Sequence, residues 1–100
     1  MKPLKIGEEA RDEFLRETKY LESQRKGVGK RFRIAVNSAF SLIRQFPDGG
    51  KLGAAETRRI VVRDFDFVVI YRDEGSHVFV YAVASTRREP NYWASRVDDA

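Results

Sequence analysis

The hydrophobic periodicity of this chain changes once, and the change limits what the chain can fold into. From residue 8 to about 46, apolar side chains recur every three or four positions; from 58 to 84 they run in β-branched and aromatic blocks. The first stretch, about residues 8–24, sets Ala10, Phe14, Leu15, Thr18 and Leu21 near helical spacing. Its acids gather in the first turns, where the helix dipole favours them. Gly27 and Gly29 interrupt the pattern and predict a tight turn between helices. A second helix, about 29–46, carries Phe32, Ala35, Val36, Ala39, Leu42, Ile43 and Phe46 on one stripe. Pro47-Asp48-Gly49-Gly50 stops it.

Beyond a loop to about Glu56, the residue types are those of strands. Arg58-Arg59-Ile60-Val61-Val62-Arg63 is β-branched between arginines, and Phe65-Asp66-Phe67-Val68-Val69-Ile70-Tyr71 is nearly all apolar, as for a central strand covered on part of both faces. Asp73-Glu74-Gly75-Ser76 reads as a hairpin turn, and residues 78–84 as the returning strand. With a short extended segment at about 2–6 and Pro90 opening a short terminal helix, the order is β-α-α-β-β-β. The expected class is α+β, one domain over residues 1–100, with an N-terminal helical hairpin packed on one face of a small antiparallel sheet and a short C-terminal helix.

At 100 residues and 42% hydrophobic content, the chain has material for one core. It contains no cysteine and a single histidine, His77, so disulfides, thiolate metal sites and histidine-based triads are not expected, and no cofactor is. The glycines at 49, 50 and 53 do not follow a strand and lack the Gly-Lys-Ser/Thr of a phosphate loop. No apolar run reaches the roughly 20 residues of a membrane span. Met1-Lys2-Pro3-Leu4-Lys5 has no apolar signal core, so the expected compartment is the cytoplasm. The net charge of +4 is unevenly spread: residues 27–51 carry five basic side chains against Asp48 alone. Residues 84–100 balance Arg87, Arg88 and Arg96 against Glu89, Asp98 and Asp99. A modest basic patch suits an acidic protein partner or nucleic acid.

The order of elements and the residues within them resemble the RelE/ParE superfamily of toxins from bacterial type II toxin–antitoxin modules, over about residues 3–96. The likeness rests on Gln45-Phe46-Pro47 closing the helix pair, on Arg58-Arg59, and on Asp66-Phe67-Val68-Val69-Ile70-Tyr71. Its most specific part is Arg88-Glu89-Pro90-Asn91-Tyr92-Trp93 followed by Arg96, which is similar to the ending of ParE-type toxins. The superfamily holds two chemistries. RelE-like members cleave messenger RNA in the ribosome, which requires proton-transfer groups and cations around the phosphorane. In this sequence Val68 stands where RelE-like nucleases carry a central arginine, and Trp93 falls where RelE has a tyrosine. The resemblance therefore implies the ParE-like branch, which inhibits DNA gyrase by binding it. It also implies neutralisation by a ParD-like antitoxin whose acidic, amphipathic tail orders on binding.

The expected target-binding residues are Arg59, Arg63, Arg87, Arg88 and Arg96, with no sequence-specific nucleic-acid binding. The alternative for Arg59 and Arg63 is a solvated charge that keeps a strand edge from aggregating, and for one of Arg87, Arg88 and Arg96 a pairing with Glu89 or a backbone carbonyl at the last helix. The alternative nuclease reading builds a catalytic set from Arg58, Arg59, Arg87 and Tyr92. A third reading is a degenerate homologue that binds antitoxin without toxicity. Pro90, Tyr92 and Trp93 are expected to dock the tail onto the sheet, since a small core seldom leaves a tryptophan exposed.

Overall fold

Strand β1 (Leu4–Ile6) leads directly into helix α1 (Glu8–Gln24), and a short turn then reverses the chain into helix α2 (Val28–Gln45). The computed structural model describes residues 1–97, so the place of Asp98 and Asp99 in the tail's charge balance lies outside the described residues. The reversal needs its glycines. Gly27 has φ 91°, a left-handed conformation that glycine adopts without steric cost. A Cβ at Gly29 would come within 2.7 Å of the Thr18 carbonyl oxygen, so glycine lets the two helices approach closely. The Glu22 carboxylate accepts from the Gly27 and Gly29 amides at 3.0–3.1 Å, satisfying donors at the start of α2 and placing negative charge at its N-terminus.

After α2 come β2 (Lys51–Leu52), a 3-10 turn, β3 (Arg58–Val62), β4 (Phe67–Asp73) and β5 (Val78–Ser85). The five strands lie in the order β1-β5-β4-β3-β2. The helical hairpin on a small sheet is therefore as expected. Two details differ: β1 runs parallel to β5, which makes the sheet mixed, and β2 adds a two-residue edge to β3. The boundary between β3 and β4 also moves. Residues 63–66 form a turn with Asp64 at φ 71°, and Phe65 leaves the ladder to pack edge-on against Phe32 at 5.1 Å. Two antiparallel neighbours need such a reversal, and a one-residue gap cannot supply it.

The helices cover one sheet face. Phe32, Val36 and Ile43 of α2 pack with Val62, Val69, Tyr71, Val78, Val80 and Val83, all essentially buried. The buried Tyr71 hydroxyl donates to the Pro47 carbonyl at 3.0 Å and accepts from the Gly50 amide at 2.9 Å, fixing the loop that leaves α2. The helical stripes are narrower than the periodicity implies, because Leu15 (55% exposed), Leu42 (45%) and Phe46 (60%) face outward.

The opposite sheet face carries a second cluster in which Ile70, Tyr81, Ala82 and Ala84 meet Trp93 and Val97 of the tail. A β-bulge makes this possible. Ile70 is opposite Ala82 but Tyr71 is opposite Val80, leaving Tyr81 as the extra residue of β5. Tyr81 and Ala82 consequently belong to the same cluster, and strict alternation resumes with Val83 on the helical side. The tail itself is not an α-helix: residues 90–93 form turns, and a single 3-10 turn spans Ala94–Arg96. Pro90 thus precedes the helical turn by several residues, because Asn91 takes φ 62° and breaks any helix begun there. Trp93 is only 5% exposed. Replacing Trp93 by alanine is expected to cost about 3–5 kcal/mol, measured by urea unfolding, because it empties the centre of the second cluster.

Candidate functional site

The tail-covered sheet face is not fully covered. Cross-strand partners share a face, so Arg59, opposite Ile70, stands on the tail side of β3, and Arg58, opposite Tyr71, on the helical side. Between β3 and the tail lie two adjoining depressions of about 160 and 290 Å³. They share Arg59, Ile70, Pro90, Asn91 and Trp93; Arg88, Glu89 and Tyr92 are among the further residues of the first, and Lys51, Thr57 and Arg58 among those of the second. Together they form a groove with an apolar floor and arginine rims. The Arg59 guanidinium makes no hydrogen bond or ion pair with the described residues. Arg88 is exposed, and its guanidinium lies 3.8 Å from the Tyr92 ring centroid.

The tail wall is fastened by one carboxylate on α1. Glu13 accepts from both terminal nitrogens of Arg96 at 3.0 Å, from the Tyr92 hydroxyl, and from the Val83 amide at 3.1 Å. Arg96 also donates to the Tyr81 carbonyl at 3.1 Å. Both side chains of the ion pair are largely buried, at 18% and 11% exposed. A bidentate pair of this kind is charge-assisted and directional. Burial, then the hydrogen bond to Glu13, pushes the Tyr92 phenol up to about 12. That phenol is protonated at neutral pH and its proton is committed to Glu13.

The five arginines expected to bind a target separate in space. Arg59 and Arg88 line the groove. Arg96 is held inside the tail by Glu13. Arg87 reaches Asp66 at 3.2 Å in a contact whose side chains are 83% and 68% exposed. Such a pair adds little to stability. Arg63 lies in the β3–β4 turn, where it borders a different groove of about 440 Å³ with Arg31, Ile34, Ala35 and Phe65. Of the alternative catalytic set, Arg59 and Tyr92 line the first depression and Arg58 and Arg59 the second, while Arg87 faces Asp66; Arg58 donates to the Gly50 carbonyl at 2.9 Å and Tyr92 donates to Glu13.

Sequence reasoning missed Glu13 entirely. On a helix that bears six acids before residue 23, nothing local marks this one, and its partners lie 70 to 83 positions away. Asn91, whose left-handed backbone turns the chain along the groove, was also missed. His77 hydrogen-bonds Ser76 and packs edge-on to Phe79. Among the described residues no group of three or more His, Cys, Asp or Glu side chains is placed to hold a metal ion, and no helix is long and apolar enough to cross a membrane. Neither a protein-family model nor a curated protein matches this sequence.

The Tyr92 phenol gives a pH dependence with a definite sign. Its proton is held more tightly in the folded chain than in the unfolded one, where it ionises near 10. Its contribution to stability is therefore complete below pH 10 and is lost as pH rises towards about 12. Absorbance titration at 295 nm is expected to lose its phenol near 12 in Tyr92→Phe, and that variant's stability should fall less steeply between about pH 10 and 12. Glu13→Ala should cost about 2–4 kcal/mol in urea unfolding, because it strands the Arg96 guanidinium and the Val83 amide.

Proposed function

We propose that this chain is the toxin of a type II toxin–antitoxin module, ParE-like in kind, that acts in the cytoplasm by binding DNA gyrase and is neutralised by a ParD-like antitoxin. The observation that carries this reading is the groove: an apolar floor with Arg59 and Arg88 on its rims, whose described lining holds one carboxylate, Glu89, and no imidazole or unengaged phenol to pair with it as an acid. Its one phenol, Tyr92, is hydrogen-bonded to Glu13, and its indole, Trp93, is buried as a core residue. Ribonucleolytic cleavage needs a group that accepts the 2′-hydroxyl proton and another that donates to the leaving oxygen. A surface of guanidiniums over apolar side chains is suited instead to holding a protein partner, since arginine and aromatic anchors dominate interface energies.

The order of elements supports the same reading, for it is the order that the family resemblance implies. The separate groove between α2 and the β3–β4 turn suits the antitoxin. Ile34, Ala35 and Phe65 offer apolar contact there, and Arg31 and Arg63, against Asp64 alone, leave a net positive charge for an acidic, amphipathic segment. Two functions on two surfaces would let one partner be held while the other is excluded or displaced.

Purified protein is expected to stop supercoiling by purified gyrase, and Arg59→Ala combined with Arg88→Ala should raise the half-inhibitory concentration by at least about tenfold while leaving the melting temperature nearly unchanged. Intact supercoiling at a large excess of protein would sink the gyrase reading. Cutting of ribosome-bound messenger RNA would establish the nuclease reading in its place. Growth unaffected by expression without the antitoxin would instead identify a homologue that has lost toxicity.

A further inference from the structure

We propose that Tyr92 and Glu13 are positioning residues for Arg88, holding its guanidinium in the groove as a pre-oriented donor for an oxyanion of the bound partner. The inference rests on the groove being the target surface, and it adds how that surface is prepared.

Arginine on an exposed turn samples many rotamers and loses that freedom on binding. Arg88 is exposed on the turn after β5, with only its own backbone amide bonded back to Ser85 at 3.2 Å. Its guanidinium is nonetheless placed, because it lies over the Tyr92 ring at 3.8 Å. A guanidinium stacked on an aromatic face keeps its N–H donors directed outward in its own plane, where a carboxylate or phosphate accepts them in pairs. The ring is fixed in turn. Its hydroxyl is bound to Glu13 at one end, and its body packs against the second core cluster. Arg96, itself gripped by Glu13, stands 5.2 Å from the ring centroid. The order of dependence is thus Glu13 to Tyr92 to Arg88, from helix to tail to groove. Arg59 lines the same depression as a second cation, against the single carboxylate of Glu89. Glu13 contributes to binding without lining the groove, and Tyr92 contributes through its ring and through no proton.

Arginine side-chain Nε–Hε resonances in the full-length protein, assigned through Arg88→Lys, test the stacking without reference to any target. The Arg88 signal is expected to show an upfield ring-current displacement that persists in Tyr92→Phe and disappears in Tyr92→Leu. An undisplaced Arg88 signal in the wild-type protein overturns the proposal with no variant needed. Gyrase inhibition tests the consequence. Tyr92→Leu should raise the half-inhibitory concentration about fivefold to tenfold, and should add nothing once Arg88 is alanine. Tyr92→Phe keeps the ring but loses the bond to Glu13, so it should weaken inhibition about as much as Glu13→Gln and less than Tyr92→Leu. Glu13→Gln should weaken inhibition in the Tyr92 protein but not in the Tyr92→Leu protein. Additive effects of Tyr92→Leu and Arg88→Ala would overturn the positioning role. If the wild-type protein leaves gyrase untouched, the target reading fails, and the resonance series alone decides whether Tyr92 positions Arg88.

Discussion

The Glu13 carboxylate joins three parts of the chain, beside the bond that Arg96 makes to the Tyr81 carbonyl. It accepts the Val83 amide of β5, the Tyr92 hydroxyl and both terminal nitrogens of Arg96, so α1, the sheet and the tail meet at one side chain. Removing a carboxylate from water is costly, and the cost is offset only when its oxygens are well supplied with donors and a counter-charge. Here they are. The pair also completes the sheet: β1 covers β5 from Val78 to Val80, and Arg96 and Glu13 then take up the Tyr81 carbonyl and the Val83 amide. Side chains continue the pairing where the parallel strand stops, so that end of β5 offers less free backbone to another chain.

The tail can be held there because the sheet has two apolar faces. A bulge at Tyr81 turns two consecutive residues of β5 to the tail side, and this gives Trp93 and Val97 a surface to cover. The same ten or so residues then serve twice, since the segment that closes the second core also walls the groove. Core packing holds the wall rigid, and rigidity is what lets a shallow surface present arginines in defined directions. Stability and the shape of the groove are coupled at this face, so a change at Trp93 would disturb both, whereas Arg59 stands at the rim.

Much of this was legible in residue order alone. Helical spacing in residues 8–46 and β-branched runs in 58–84 specify two helices and then strands, because those periods follow from backbone geometry. The burial of Trp93 followed from its size. The stripe on α2 was too generous at Leu42 and Phe46, since periodicity tells which residues share a face but not how far the sheet beneath extends. The position of Arg63 was misjudged for a related reason: its run of β-branched neighbours ends in a turn forced by strand reversal, and that turn moves it to another groove.

By itself, then, the sequence determined the classes of element, their order, and the apolar material for a core. It also supplied the arginines, but not their uses. Only the tertiary structure decided that Arg96 belongs to Glu13, that Arg87 belongs to Asp66, and that Arg59 and Arg88 share a groove. The physical reason is the range of the interactions. Helix and strand preferences act over a few neighbouring residues, whereas an ion pair is chosen by whatever chain folding brings within reach, here across 83 positions.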